Sequence, residues 1–263
     1  MTFARTPEPT LYCVLEDGRM ACCTYDKTQT IIAGWPYVTD GKVESITAVP
    51  DGERDAVWMS TLRINDSQRF IERVREDWYP RKDDETAGLI NRRVGLMLDC
   101  ASLQDYGGGG TTVNVPSTLN GQTLRMLVDG YDAGEQPVSL GSVSAVIVSD
   151  RLAAGFHYDS KLEPMPPEAP TPQGAGQGRP VRTGPVMVKV HDSWGGTINT
   201  NPMIKGPLVA DGTTRATPID YYRGEEDAVL EGWKRDKPTV TIEQTQPYPL
   251  HVLYVSERLT NSP

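Results

Sequence analysis

The chain has 263 residues, with 26 Lys plus Arg against 35 Asp plus Glu, so its formal charge is −9. That acidic surplus excludes a general nucleic-acid-binding protein, which needs cations to displace phosphate counterions. The strongest apolar run, around Ala145–Val148, is far shorter than a membrane-spanning helix, and 25 Gly with 21 Pro predict many turns and few long helices.

Met1 to Cys13 carries no apolar leader run, so no secretory signal is expected, and the chain is expected to be soluble and made in a cytoplasm. Residues 1–81 read as a propeller-like β-meander. Strands are expected at Arg19–Tyr25, Ile31–Trp35, Val43–Val49, Ala56–Ile64 and Gln68–Val74, punctuated by Asp17-Gly18, Asp40-Gly41, Pro50-Asp51-Gly52 and Asn65-Asp66. Phe70, Val74 and Trp78 also stand at helical spacing; the hairpin signal before them favours a strand. Lys82–Glu85 reads as a charged surface loop.

Residues 94–163 read as a β-sandwich or barrel module. Its strands are expected at Gly95–Cys100, Thr111–Val115, Thr123–Asp129, Pro137–Leu140 and Ser142–Val148, with Phe156–Tyr158 near the end. Residues 164–185 are rich in Pro and Gly and poor in apolar side chains, so they read as a loop or linker. Residues 186–263 form a C-terminal β module with strands at Val186–Val190, Thr239–Glu243 and Leu250–Val255, and Glu225–Trp233 is expected to make one or two helical turns. The fold class is mainly β: a blade-like antiparallel meander followed by small β-sandwich or barrel modules.

Chemistry-bearing motifs are few. Gly107–Gly110 with Thr111-Thr112 lacks the Lys that a phosphate-binding loop needs, so it reads as a flexible hairpin tip. His191-Asp192-Ser193 holds the residue types of a hydrolase triad, but neighbours on one strand face opposite ways and cannot converge on one atom. The remaining histidines are His157 and His251. Asp129, Asp132 and Glu135 are oxygen donors at short spacing but lack the calcium-loop order, and read as a solvated turn. Cys13, Cys22, Cys23 and Cys100 make no metal pattern and read as buried, reduced thiols. Trp35, Trp58, Trp78, Trp194 and Trp233 are scattered and read as core anchors of separate sheets; an aromatic row would instead suggest sugar binding. No catalytic, metal or cofactor residue is assigned.

The ordered motifs carry a resemblance. Asp17-Gly18-Arg19-Met20, Thr24-Tyr25-Asp26, Ala33-Gly34-Trp35 and Asp40-Gly41-Lys42-Val43-Glu44-Ser45-Ile46 are followed by Asp55-Ala56-Val57-Trp58, Arg63-Ile64-Asn65 and Arg69-Phe70-Ile71-Glu72-Arg73. Later come Leu98-Asp99, Leu119-Asn120-Gly121, Val128-Asp129-Gly130, Gly155-Phe156-His157-Tyr158 with Ser160, and Gln246-Pro247-Tyr248-Pro249-Leu250 with Val252-Leu253. In this order they resemble the C-terminal part of the tail nozzle protein, or tail tubular protein B, of short-tailed bacteriophages. Asp66 or Ser67 stands where that family usually has Gly, and full nozzle proteins are much longer.

The resemblance implies a structural virion protein, not an enzyme. Copies would assemble as a ring, usually of six, below the portal, through which phage DNA is ejected. Partners would be further copies of the chain and other tail proteins such as the adaptor and tail fibre. DNA would pass without specific binding, and no cofactor or membrane insertion is expected. An acidic lumen would repel DNA across a solvent gap of about 8–10 Å. Candidates for such acidic positions are Asp83, Asp84, Glu85, Asp132, Glu135, Glu225, Glu226 and Asp227. A carbohydrate- or receptor-binding tail module is the alternative, marked by an aromatic row. A tail-borne hydrolase, marked by carboxylates about 5–9.5 Å apart, is a third.

Overall fold

The computed structural model describes residues 1–6, 8–28, 30–64, 67–74, 96–165, 170–171, 174–175, 181–204, 221–229 and 239–261. Across them the chain is nearly all strand, with a single 3-10 turn at Ser117–Leu119 and no α-helix, so the mainly β class is the class observed.

Strands β1 (Thr2–Ala4), β2 (Thr10–Val14), β3 (Met20–Asp26) and β4 (Ile31–Tyr37) form one antiparallel sheet in chain order. A second meander follows: β5 (Lys42–Asp51), β6 (Arg54–Arg63) and β7 (Gln68–Val74). The two sheets face each other, and Ala4, Tyr12, Met20 and Cys22 pack against Val57 with Ile46, Ala48 and Val74. Gly18 makes that approach possible. Its φ of +84° closes the turn after β2, its carbonyl accepts the Val43 N–H at 2.8 Å, and a Cβ there would lie 2.5 Å from Lys42 Cβ. Segment 68–74 is a strand, paired with β6 from Arg63↔Gln68 to Val57↔Val74. Strand β4 runs through Pro36 rather than stopping there, because it is an edge strand and a missing donor is tolerated at an edge.

The third sheet holds β8 (Asp99–Asn114), β9 (Thr123–Val128), β10 (Tyr131–Pro137) and β11 (Ser142–Phe156), in the order β10-β9-β11-β8. Two expectations are corrected here. Gly107–Gly110 is not a hairpin tip but lies within β8, and the expected strands on either side of it belong to one strand. Register explains this. Partners step from Arg151↔Asp105 to Ser149↔Gly110, so Tyr106–Gly109 bulge from β8. They then step to Ser144↔Thr112, so Ala145–Val148 bulge from β11 and the original register returns. The glycines let the Tyr106 ring lie over Gly110, where a Cβ would sit 2.4 Å from ring atoms, and the Tyr106 hydroxyl donates to the Thr112 carbonyl. The expected strand at Pro137–Leu140 is also displaced. Asp129 and Gly130, with φ of +49° and +86°, make the tight turn, so β10 begins at once at Tyr131.

The core of this sheet includes Leu119, Leu124, Met126, Val143 and Leu152. Ile64 and Phe70 from the β6–β7 hairpin pack against it, so the first two regions share apolar contact.

The C-terminal part contains β12 (Ser160–Leu162), β13 (Pro170–Thr171), β14 (Gly174–Ala175), β15 (Val181–Ser193), β16 (Thr197–Ile198), β17 (Asn201–Pro202), β18 (Tyr222–Val229), β19 (Ile242–Gln244) and β20 (His251–Asn261). Sheets β18-β15-β20 and β12-β19-β16-β17 enclose Val186, Val188, Val190, Ile198 and Ile242. Strand β12 lies within the expected second region but pairs with β19 of the C-terminal part. Within residues 164–185, β13 pairs with β14 and β15 already starts at Val181. Glu225–Val229 is strand, not helix, because β18 pairs with β15 from Ser193↔Tyr222 to Pro185↔Val229. Residues 230–233 and the Lys82–Glu85 loop lie outside the described residues.

Candidate functional site

The β6–β7 hairpin delivers one unexpected side chain. Alternation along β6 turns Val57, Met59, Thr61 and Arg63 to the inner face, and Arg63 is fully buried there. All five of its N–H donors can be accounted for. Nε and Nη2 donate to Glu72 Oε1 and Oε2 at 2.7 Å each, Nη1 to Asp99 Oδ2 at 2.9 Å and the Asp40 carbonyl at 2.6 Å, and Nη2 to Asp99 Oδ1 at 2.8 Å. Asp99 Oδ2 also accepts the Thr39 hydroxyl at 2.5 Å and the Asp40 N–H at 3.2 Å. Burial acts to lower the Arg63 pKa, but the bonds and charges of Glu72 and Asp99 outweigh it and hold the guanidinium above its ordinary value. Burial first, then the Asp99 charge, raises the phenols of Tyr37 and Tyr158; burial, then Glu72, raises the Cys100 thiol. This knot ties β6, β7 and the β4–β5 turn to β8. Sequence reading missed it, although an Arg at an inward position of an alternating strand is a legible signal.

The His191-Asp192-Ser193 motif is brought together differently from a triad. A register shift after Val190 and φ of +45° at Asp192 turn that carboxylate inward, where Arg223 of β18 grips it at 2.6 and 2.9 Å. His191 Nε2 lies 3.4 Å from Asp192. The Ser193 hydroxyl donates to the His191 carbonyl at 3.0 Å and accepts the His251 N–H at 2.8 Å, so it braces backbone. His251 faces His191 across the strands, and burial lowers its pKa against the pull of Asp192. His157 is elsewhere, 3.1 Å from Asp159.

Asp129 accepts the Arg151 N–H at 3.1 Å, whereas Asp132 is gripped by Arg125. The short acidic spacing thus does not converge. Among the described residues no three His, Cys, Asp or Glu side chains form a group that could hold a metal ion. Glu225 is engaged by Lys189 at 3.6 Å and by the Tyr254 hydroxyl at 2.7 Å, while Asp227 is exposed. All four cysteines are free thiols; only Cys22 is fully buried, and burial with Cys13 nearby pushes its pKa up to about 11.

A cleft of about 260 Å³ lies where Met97 and Tyr158 meet Lys161, Gln244, Tyr248 and His251. Its polar groups brace the fold: Gln244 Nε2 donates to the Trp194 carbonyl at 2.7 Å, Tyr248 Oη accepts the Asp132 N–H at 3.1 Å, and Lys161 pairs with Glu163 at 3.2 Å. These bonds join no nucleophile to a base.

Surface chemistry differs. Trp35 and Trp58 are 41% and 38% exposed, which corrects their reading as core anchors; Trp194 does pack against the C-terminal core. Trp35 is on β4 and Trp58 on β6, under the Arg73 guanidinium at 6.0 Å, so these two lie on different sheets rather than in one row. Trp78 and Trp233 lie outside the described residues. On β4 and beside it, Ile32 and Val38 are 72% and 66% exposed, with Ile31 and Tyr25 also open. On the third sheet Leu140 is 93% exposed, at φ +52° in the β10–β11 turn, and Val146 is 85% exposed on the β11 bulge beside exposed Val148.

No protein-family model matches the chain, and no curated protein is significantly similar to it. No helix among the described residues is long and apolar enough to cross a membrane.

Proposed function

We propose that the chain is a structural virion protein, one subunit of a ring-shaped tail nozzle or tail-tube segment through which phage DNA is ejected. The observation that carries this is the uncovered apolar surface on β4 and on the paired bulges of β8 and β11. Exposed apolar patches of this kind mark surfaces that a partner covers. The order of nozzle-like motifs along the sequence supports the same reading. The role is mechanical, in keeping with the Asp192 and Ser193 side chains being engaged in bracing the fold. Six copies close the ring in the virion tail, beside adaptor and tail-fibre proteins, after synthesis in the host bacterial cytoplasm. DNA passes without specific binding, in keeping with the net charge of −9 per copy.

Electron microscopy of the purified chain at rising concentration, and of virions labelled with an antibody to it, tests the reading. Rings with a central channel and label on the tail are expected. Monomers at every concentration with unlabelled virions would sink it. Submicromolar, steeply salt-dependent binding to duplex DNA would instead point to a nucleic-acid-binding protein.

A further inference from the structure

We draw no further inference here: the strongest candidate, the cleft where Met97 and Tyr158 meet Lys161, Gln244, Tyr248 and His251 of the C-terminal part, carries nothing because its Gln244, Tyr248 and Lys161 groups are engaged in bonds that brace the fold and nothing in the structure shows what fills it.

Discussion

Replacing Arg63 with Met removes the centre of the buried knot while keeping most of its apolar volume. The knot carries one positive and two negative charges, a net of −1, with side-chain exposures of 0% for Arg63, 11% for Glu72 and 8% for Asp99. After Arg63→Met, Asp99 keeps the Thr39 hydroxyl and the Asp40 N–H, but Glu72 loses both guanidinium bonds and remains desolvated. Removing one partner of a buried pair costs about 3–5 kcal/mol, because the surviving charge is uncompensated. That is a large part of the roughly 5–15 kcal/mol available to a folded domain. The triple variant Arg63→Met, Glu72→Gln, Asp99→Asn removes all three charges together and should recover more than half of the loss. Arg63→Lys keeps the charge but not the planar fork that binds two carboxylates at once, and should fall between. Urea unfolding followed by tryptophan fluorescence and circular dichroism reads these differences through the midpoint and slope. If Arg63→Met lies within 1 kcal/mol of wild type, or the triple variant is no better than the single, the knot is not an energetically coupled unit.

Three other outcomes are expected. Gly155→Ala should destabilise by about 1–3 kcal/mol in the same assay, since its Cβ would lie 2.7 Å from the Asp99 carbonyl and 2.9 Å from Ala101 Cβ, both held in the ladder; a loss under about 0.5 kcal/mol would refute the close-packing account. His251 is held neutral by burial, so its folded pKa lies below its unfolded value of about 6.5 and only the unfolded state takes up the proton between the two. Its contribution is complete above about pH 6.5 and is lost as pH falls through the lowered folded pKa, so stability measured from pH 7.5 to 5 should fall less steeply in His251→Gln; an unchanged slope would refute the assignment. Cys22, with its pKa near 11, should react with iodoacetamide at pH 8 at least about 100-fold more slowly than in denaturant, read by peptide mass spectrometry. Equal rates in the two conditions would refute its burial.

Local chemistry made much of the fold legible. Asp17-Gly18 and Asp129-Gly130 stand at tight turns, and Gln68–Val74 has the bounds that its hairpin signal predicts. The exposed apolar surface was not legible: which side chains of β4 and of the β8 and β11 bulges stay uncovered depends on how the sheets pack. Trp35 looks like a core residue by composition and is open because it lies on an edge strand.

By itself the sequence determined the β class, the main turns and most strand centres, because those depend on residues a few positions apart and on period-two alternation. Tertiary structure decided the rest. The tetraglycine joins two predicted strands into one because bulges on β8 and β11 compensate each other. Glu225–Val229 becomes strand because β15 is there to accept it, and Ser160–Leu162 joins a sheet completed by β19 much later in the chain. Arg63 finds Asp99 across 36 positions. Such choices are made by pairing between distant segments, where satisfying buried backbone and charged groups outweighs the weak local preference of any one segment.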